Sequence, residues 1–216
     1  MPDPHEPSTD WADWHQQYAD PASPLSQRLA VVVGRVRQAL DELPAGPVRL
    51  ISVCAGQAHD VVGALRGHPR ADDVHGWLVE LDEHNVAAAR AALAAAHLDR
   101  LEVVHADASS TDAYVGRAPA DLLLLCGIFG NVSDDDVRAT IEQAPMLCAD
   151  AGYVVWTRHR RTPDLTPAIR GWFARAGFDE VSFDSPGPDS FSVGMAVRTG
   201  TPLPLVPGRR LFSFVR

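Results

Sequence analysis

From Val48 onward, the sequence alternates between short apolar runs and segments with helical periodicity. The apolar runs are VRLISVCA, VHGWLVELD, LEVVHADA, ADLLLLCGI and GYVVWTRH. The segments between them are HDVVGALRG, HNVAAARAALAAAHL, a short TDAYVG and SDDDVRATIEQAPMLCA. Runs without a polar face are typical of strands buried in a parallel sheet. Their alternation with helices predicts an α/β fold with a doubly wound sheet and right-handed crossovers.

The pattern changes after a further helical segment, LTPAIRGWFARAGF. The remaining chain contains DEVSFDS, FSVGMAVR and RRLFSFVR, which have the pattern of strands without helices between them. Strands joined by short connections pair antiparallel. We therefore expect a mostly parallel, seven-stranded sheet with an antiparallel C-terminal edge.

The N-terminal part, residues 1–45, predicts a helical cap that precedes a single compact domain, residues 46–216. Aromatic and polar side chains recur near its start at spacings of three and four, on one face of a predicted helix: Trp11, Trp14, His15 and Tyr18. The next segment, SPLSQRLAVVVGRVRQALDEL, predicts an amphipathic helix that begins at Ser23 or Ser26.

Composition narrows the function classes. The chain has 216 residues, of which 46% are hydrophobic, and a formal net charge of -9. These values suit one well-buried domain and argue against a protein that binds nucleic-acid backbones. All 19 residues counted as lysine plus arginine are arginine. The lack of lysine excludes pyridoxal phosphate enzymes, Schiff-base aldolases and P-loop nucleotidases, because each needs a lysine amine.

We expect neither a membrane span nor a secretory signal. The sequence has no apolar run of about 18 residues, and its first segment, MPDPHEPSTDWADWHQQYAD, is acidic and rich in proline. A cytoplasmic location follows as an expectation. The cysteines Cys54, Cys126 and Cys148 lie far apart in apolar surroundings, so we expect small buried hydrophobes and no metal site.

The candidate functional residues lie where the predicted strands end. Open parallel sheets bind ligands beyond those ends. After the first strand, the turn CAGQ contains Gly56, which either lets the backbone approach a ligand or serves packing alone. A dinucleotide-binding loop would have three glycines there. The second strand ends in VELDEHN, where Glu80 suits two ribose hydroxyls and Asp82 suits the cap of the next helix.

The third and fourth strands end in HADAS and LCGIFGN. Asp107 is a candidate acceptor for an exocyclic amine such as that of adenine, or else a turn-forming residue. Gly127 and Gly130 leave room for a ligand and Asn131 offers a side-chain amide, unless all three serve loop geometry alone. The four strand ends together are more specific than any one of them.

With these motifs the sequence resembles the class I S-adenosylmethionine-dependent methyltransferases. That family has a glycine loop after the first strand, an acidic residue at the end of the second and an aspartate at the end of the third, and ELDEHNVAAAR follows its spacing. The resemblance covers about residues 48–180. It is closest to an uncharacterised actinobacterial-type group with CAG and CGIFGN motifs and WTRHRR after the fifth strand.

The resemblance implies a Rossmann-like domain with S-adenosylmethionine as cofactor, and it implies a role for each matching residue. The methionine part is placed near Ala55, Gly56 and Gln57, the ribose on Glu80, the adenine against Leu81, the adenine amine near Asp107 and Ala108, and the sulfonium near Cys126 and Gly127. Tyr18 and Arg28 are the candidates for the cofactor's carboxylate. Two departures from the family pattern are Ser52, where an acidic residue is common, and Ala58, which replaces a second loop glycine and precedes His59.

Methyl transfer from a sulfonium requires mainly alignment of the acceptor and exclusion of water, and a general base only when the acceptor is protonated. His15 and His159 are the candidate bases, each with a structural role as the alternative. The cluster of Arg158, Arg160 and Arg161 suits a carboxylate or phosphate of the acceptor, or is a solvated loop.

Three functions follow in order of preference. The first is a methyltransferase that acts on an oxygen or nitrogen of a small-molecule acceptor. The second is an enzyme of the same fold that uses S-adenosylmethionine in a non-methylating reaction, and the third is a non-catalytic binding relative. For partners we expect a small molecule, neither nucleic acid nor a membrane, and a homodimer as a candidate assembly.

Overall fold

Alternating helices and strands account for most of the chain in the computed structural model, which describes residue 20, residues 22–201 and residues 203–215. The α-helices are α1 (Pro24–Glu42), α2 (His59–Leu65), α3 (Glu83–Ala95), α4 (Asp134–Gln143) and α5 (Thr166–Arg175). The strands are β1 (Val48–Val53), β2 (Val74–Glu80), β3 (Leu101–His105), β4 (Ala120–Leu125), β5 (Cys148–His159), β6 (Phe178–Asp184) and β7 (Phe191–Arg198). Short 3-10 helices span Ala71–Asp73, Thr111–Tyr114 and Ala144–Met146.

The strands form one seven-stranded sheet with the order β3-β2-β1-β4-β5-β7-β6. Strands β1 to β5 pair in parallel, whereas β7 pairs antiparallel with both β5 and β6. This arrangement confirms the predicted α/β fold and its antiparallel C-terminal edge. Because the chain moves outward from β1 to β3 and then returns to the other side of β1, a crevice forms at the carboxyl ends of β1 and β4.

The parallel strands are buried on both faces. In β4, Leu122 and Leu124 pack in a cluster with residues of α1, α2 and α3, whereas Leu123 and Leu125 pack in a second cluster with residues of α4 and α5. All four leucine side chains are fully buried. This explains why the strands are continuous apolar runs in the sequence, since alternation would leave polar residues on one covered face.

Helix α1 packs on the sheet as part of the first cluster. The Ser23 hydroxyl accepts a hydrogen bond from the Ser26 N–H at 3.0 Å, so Ser23 is the N-cap of α1. Arg35 donates to both carboxylate oxygens of Asp184 in β6, at 2.7 and 2.6 Å. The buried residues of α1 include Val32, Val36 and Leu40. The division of the chain at residue 45 stays a prediction, and the aromatic segment of the predicted cap lies outside the described residues.

The helix predicted over SDDDVRATIEQAPMLCA is too long. Helix α4 ends at Gln143, a 3-10 helix follows, and β5 begins at Cys148. Pro145 is the physical reason, because proline lacks the N–H that an α-helix needs and its ring clashes with the preceding turn.

The prediction that RRLFSFVR is a strand is wrong for its described residues. Arg210 and Phe214 form isolated bridges, to Ser110 and Val132, and the segment is not part of the sheet. Its backbone runs across the loops that follow β3 and β4 instead. We call residues 203–215 the C-terminal strap.

Candidate functional site

A cavity of about 700 Å³ opens at the carboxyl ends of the parallel strands, at the point where the strand order reverses. The loops after β1, β2, β3 and β4 line it, together with the start of α1 and the end of the C-terminal strap. A volume of this size is typical of sites that enclose a small molecule.

The loop after β1 has an unusual backbone. Cys54, Gly56 and Ala58 all have left-handed conformations, with φ values of 53°, 54° and 62°. Glycine adopts this conformation freely, whereas a residue with a Cβ pays about 1–2 kcal/mol for it. Strain of this kind persists where the surroundings fix the loop, which is common at ligand sites.

Ala58, which replaces the second loop glycine, does not narrow the cavity. Its side chain is fully buried in the first apolar cluster. Its N–H donates to the Ala55 carbonyl at 3.0 Å, which closes the turn. His59, the next residue, does line the cavity.

Glu80 connects the end of β2 to the loop after β1. One carboxylate oxygen accepts the Gly56 N–H at 2.7 Å, and the other accepts the N–H groups of Leu81 at 2.9 Å and Asp82 at 3.0 Å. The residue lines the cavity and is only 9% exposed. These bonds fix the orientation of the carboxylate before any ligand arrives. Asp82 has the predicted capping role, because its carboxylate accepts the Asn85 N–H at 2.9 Å at the start of α3.

Asp107 is fixed by its neighbour Ser109. One oxygen of Asp107 accepts both the N–H of Ser109, at 2.9 Å, and its hydroxyl, at 2.6 Å. Partial burial acts to raise the pKa of Asp107, but the two bonds from Ser109 and the charge of Arg210 outweigh it and lower the pKa. Asp107 is therefore ionised at neutral pH and faces the cavity as an acceptor.

The loop after β4 forms the opposite end of the cavity. The Gly127 N–H donates to the Thr157 hydroxyl at 2.8 Å, and the Gly127 carbonyl accepts from the Asn131 side chain at 2.8 Å. Gly127 has φ 78°, and an added Cβ would meet open space. The loop is thus held in place while the backbone stays accessible from the cavity.

The thiols that line the cavity are neutral. Burial raises the pKa of the Cys54 thiol, and the carboxylates of Glu80 and Asp107 raise it further. Burial also raises the pKa of the Cys126 thiol well above its usual value. Both cysteines are free, and they present small apolar surfaces rather than nucleophiles.

Carboxylates dominate the charge of the cavity. The acidic lining residues are Asp60, Glu80, Asp82, Glu83 and Asp107. Arg28 is the arginine among the described lining residues. Burial raises the pKa of Asp60, and the charge of Arg28 acts against this increase. Such a site favours a cationic ligand and disfavours one that carries several phosphates.

The structure brings most of the sequence-predicted site residues together. The cavity is lined by Arg28, Ala55, Gly56, Gln57, Glu80, Leu81, Asp107, Ala108, Cys126 and Gly127. His159 is not among the lining residues; it ends β5 and lies beside Gly130, with its Cδ2 atom 3.5 Å from the position of a Cβ there. His15 and Tyr18 lie outside the described residues.

The contribution of the C-terminal strap to the cavity is not predicted by the sequence. Phe214 lines the cavity, and its ring meets that of the buried Phe212 edge-on at 5.3 Å. Its one signal in the sequence is the apolar character of RRLFSFVR, which predicts a strand. Thr157, which also lines the cavity, is not predicted by the sequence either. Nothing in WTRHRR indicates that its hydroxyl accepts a hydrogen bond from the loop after β4.

Two of the three arginines in the basic cluster at the end of β5, Arg158 and Arg160, lie against acidic residues of the same protein. Arg158 donates to the Phe129 carbonyl and lies 3.6 Å from Asp134. Arg160 donates to Asp164 at 2.9 Å. These pairings reduce the charge that the cluster can offer to an acceptor.

In the described residues, no helix is long and apolar enough to cross a membrane. Within the same part of the chain, no group of three or more histidine, cysteine or acidic side chains is arranged to hold a metal ion.

Comparisons with known proteins yield structural likeness alone. No protein-family model and no curated protein matches the sequence. The structure is similar to that of an O-methyltransferase family protein from Burkholderia thailandensis, with a TM-score of 0.60 and 20% identity over 88% of this chain and 69% of that chain. It is also similar to magnesium protoporphyrin IX methyltransferase (ChlM) from Synechocystis, solved with bound SAM, with a TM-score of 0.66 and 15% identity over 89% of this chain and 92% of that chain.

A third similar structure is the CurJ carbon methyltransferase, with a TM-score of 0.66 and 14% identity over 88% of this chain and 59% of that chain. At these identities the likeness shows the fold. The chain therefore has a Rossmann-like fold of the kind found in methyltransferases.

Proposed function

We propose that this protein is an S-adenosylmethionine-dependent methyltransferase that acts on an oxygen or nitrogen of a small-molecule acceptor. The observation that carries the proposal is the position of Glu80. Its carboxylate ends β2, is fixed by the Gly56 N–H of the neighbouring strand's loop, and lies in an acidic cavity at the reversal of the strand order. Known methyltransferase structures with the same fold support the assignment.

The donors and acceptors around the cavity fit the parts of S-adenosylmethionine. In this proposal Glu80 binds the ribose, with Leu81 against the adenine, and Asp107 beside Ala108 accepts from the adenine amine. The loop of Ala55, Gly56 and Gln57 holds the methionine part. Arg28 binds its carboxylate, with Tyr18 as a second candidate. Cys126 and Gly127 lie beside the sulfonium.

The charge of the cavity favours this cofactor over a nicotinamide dinucleotide. S-adenosylmethionine carries a sulfonium and an ammonium against one carboxylate, whereas a dinucleotide carries a pyrophosphate. The acidic lining of the cavity as a whole would attract the first and repel the second, although Glu80 alone does not discriminate, since dinucleotide-binding folds also place a ribose-binding carboxylate there. The loop after β1 also lacks the further glycines that let a backbone cradle pyrophosphate.

When bound, S-adenosylmethionine supplies an electrophilic methyl group on a good leaving group. The chain's own work is to align the acceptor beyond Gly127 and to exclude water. The neutral thiol of Cys126 and the ring of Phe214 provide apolar walls there. His159, at the end of the neighbouring strand β5, is one candidate for accepting a proton from the acceptor. His15, which lies outside the described residues, is the other candidate.

The narrower relationship, to the actinobacterial-type group, rests on the CAG and CGIFGN motifs and forms part of this proposal. The alternative is a non-methylating enzyme with the same cofactor, which the departures from the family loop at Ala58 and His59 favour. Ala58 is buried in the core, so His59 in the cavity wall is its remaining support. A non-catalytic binding relative is the third reading.

Two experiments separate these functions. Titration calorimetry with S-adenosylmethionine and S-adenosylhomocysteine should give saturable heat with both compounds; no heat with either would remove both enzymatic functions. Incubation of the protein with methyl-labelled cofactor and a cell extract should place the label on a new small product. Consumption of the cofactor without label on any product would favour the non-methylating reaction.

A further inference from the structure

The C-terminal strap is hydrogen-bonded to the loops that border the cavity. The Leu211 N–H donates to the Ser109 carbonyl at 2.7 Å, and the Val215 N–H donates to the Asn131 carbonyl at 3.0 Å. The strap therefore connects the loop after β3 to the loop after β4. On the other side of Arg210, the Thr111 N–H donates to the Arg209 carbonyl at 2.9 Å, so the backbone is fixed both before and after Arg210.

Arg210 reaches Asp107 through Ser109. Its guanidinium donates to the Ser109 hydroxyl at 2.9 Å, and that hydroxyl donates to Asp107 at 2.6 Å. A second guanidinium nitrogen lies 3.8 Å from the other oxygen of Asp107. Ser109 is 4% exposed, so the chain of bonds runs through a buried hydroxyl. Such a chain polarises each of its members and strengthens the hydrogen bonds within it, so it holds the Asp107 carboxylate in one orientation.

The two oxygens of Asp107 are in different situations. One accepts two hydrogen bonds from Ser109, whereas the other has, among the described residues, only the longer contact with Arg210. The second oxygen therefore retains capacity to accept from a ligand. Arg210 restrains the carboxylate without occupying that capacity with a short hydrogen bond.

We propose that Arg210 is a positioning residue for the cofactor: acting through Ser109, it holds Asp107 so that the free oxygen accepts from the exocyclic amine of adenine. This inference rests on the proposed function. It makes the strap, which follows the last strand of the sheet, a part of the cofactor site. It also assigns to the strap a role in selecting adenine over a base that has a carbonyl oxygen at the same position.

The test compares S-adenosylhomocysteine with S-inosylhomocysteine, in which a carbonyl oxygen replaces the amine. The full chain should prefer the adenine compound by about tenfold or more, since a hydrogen bond to a charged acceptor is lost in the other. Arg210→Gln should weaken binding of S-adenosylhomocysteine by about three- to tenfold. The affinity of the same variant for S-inosylhomocysteine should stay within about twofold of that of the unmodified protein. The preference should therefore shrink. Ser109→Ala should shrink it in the same way without a change of charge.

Arg209→Gln is the matched control. It removes the same charge from an exposed side chain that is one position away from Arg210. Melting curves recorded for each variant set a temperature at which all are folded. An unchanged preference in Arg210→Gln, or an equal loss in Arg209→Gln, would overturn the inference. If the unmodified protein bound neither compound, the proposed function itself would fail, and the inference with it.

Discussion

Replacement of Glu80 by glutamine changes the proposed ribose site with little change in its shape. The side chain keeps its length, but it loses its charge, and one acceptor oxygen becomes an amide that donates. The carboxylate now accepts three backbone N–H groups, at 2.7, 2.9 and 3.0 Å. The substitution therefore tests the residue that carries the functional assignment.

The geometry gives the expected magnitude. A carboxylate has about four acceptor positions, so the three bonds leave about one for a ribose hydroxyl in this arrangement. A hydrogen bond to a charged group contributes about 1.5–3 kcal/mol and a neutral one about 0.5–1.5 kcal/mol. Glu80→Gln should therefore weaken cofactor binding by at least about 1–1.5 kcal/mol, or roughly five- to twelvefold, because the amide NH2 also replaces an oxygen that accepts a backbone N–H.

Titration calorimetry with S-adenosylhomocysteine measures this change, and a melting curve shows that the variant is folded. Glu83→Gln is the matched control, because it removes the same charge from an exposed residue of the same cavity. The control should stay within about twofold of the unmodified protein, as expected for an exposed charge. A folded Glu80→Gln variant with unchanged affinity would mean that the ribose does not lie on Glu80.

Further substitutions test other parts of the structure. Arg28→Gln should weaken binding of S-adenosylhomocysteine by about fivefold but leave binding of 5′-methylthioadenosine, which lacks the carboxylate, unchanged. An equal loss of affinity for both compounds would contradict the role of Arg28 in binding the carboxylate. In urea denaturation, Phe212→Ala should lower the free energy of unfolding by about 3–5 kcal/mol, and Phe214→Ala, at a half-exposed ring, by less than half as much; the reverse order would contradict the packing of the strap. Gly76→Ala should lower this free energy by about 1–3 kcal/mol, because an added Cβ would meet the backbone of β1. Gly34→Ala, on the open surface of α1, should raise it by about 0.5–1 kcal/mol; a loss there would contradict the surface assignment.

The sequence predicted the sheet well because its central strands are buried on both faces. The run of four leucines, 122–125, has no polar face, which is typical of a strand covered on both faces of a parallel sheet. The strand ends then identified the cavity, since parallel strands bring their carboxyl ends to one edge of the sheet. Glu80 and Asp107 could be found in this way, because Glu80 is the last residue of β2 and Asp107 lies two residues after the end of β3.

The C-terminal strap could not be predicted from local pattern. Arg210 and Ser109 are 101 positions apart, and nothing in either segment indicates that they meet. The apolar residues of RRLFSFVR have the alternation of a strand, but their partners are the loops after β3 and β4 rather than a strand. The orientation of Ala58 was equally hidden, because it depends on a left-handed backbone that the sequence does not specify.

A crystal structure of the protein with S-adenosylhomocysteine tests the central claim most directly. We expect a ribose hydroxyl within about 3.2 Å of the Glu80 carboxylate, the adenine amine at Asp107, and the sulfur beside Cys126 and Gly127. Saturating ligand that binds elsewhere, or a ribose turned away from Glu80, would contradict the assignment of this cavity as the cofactor site.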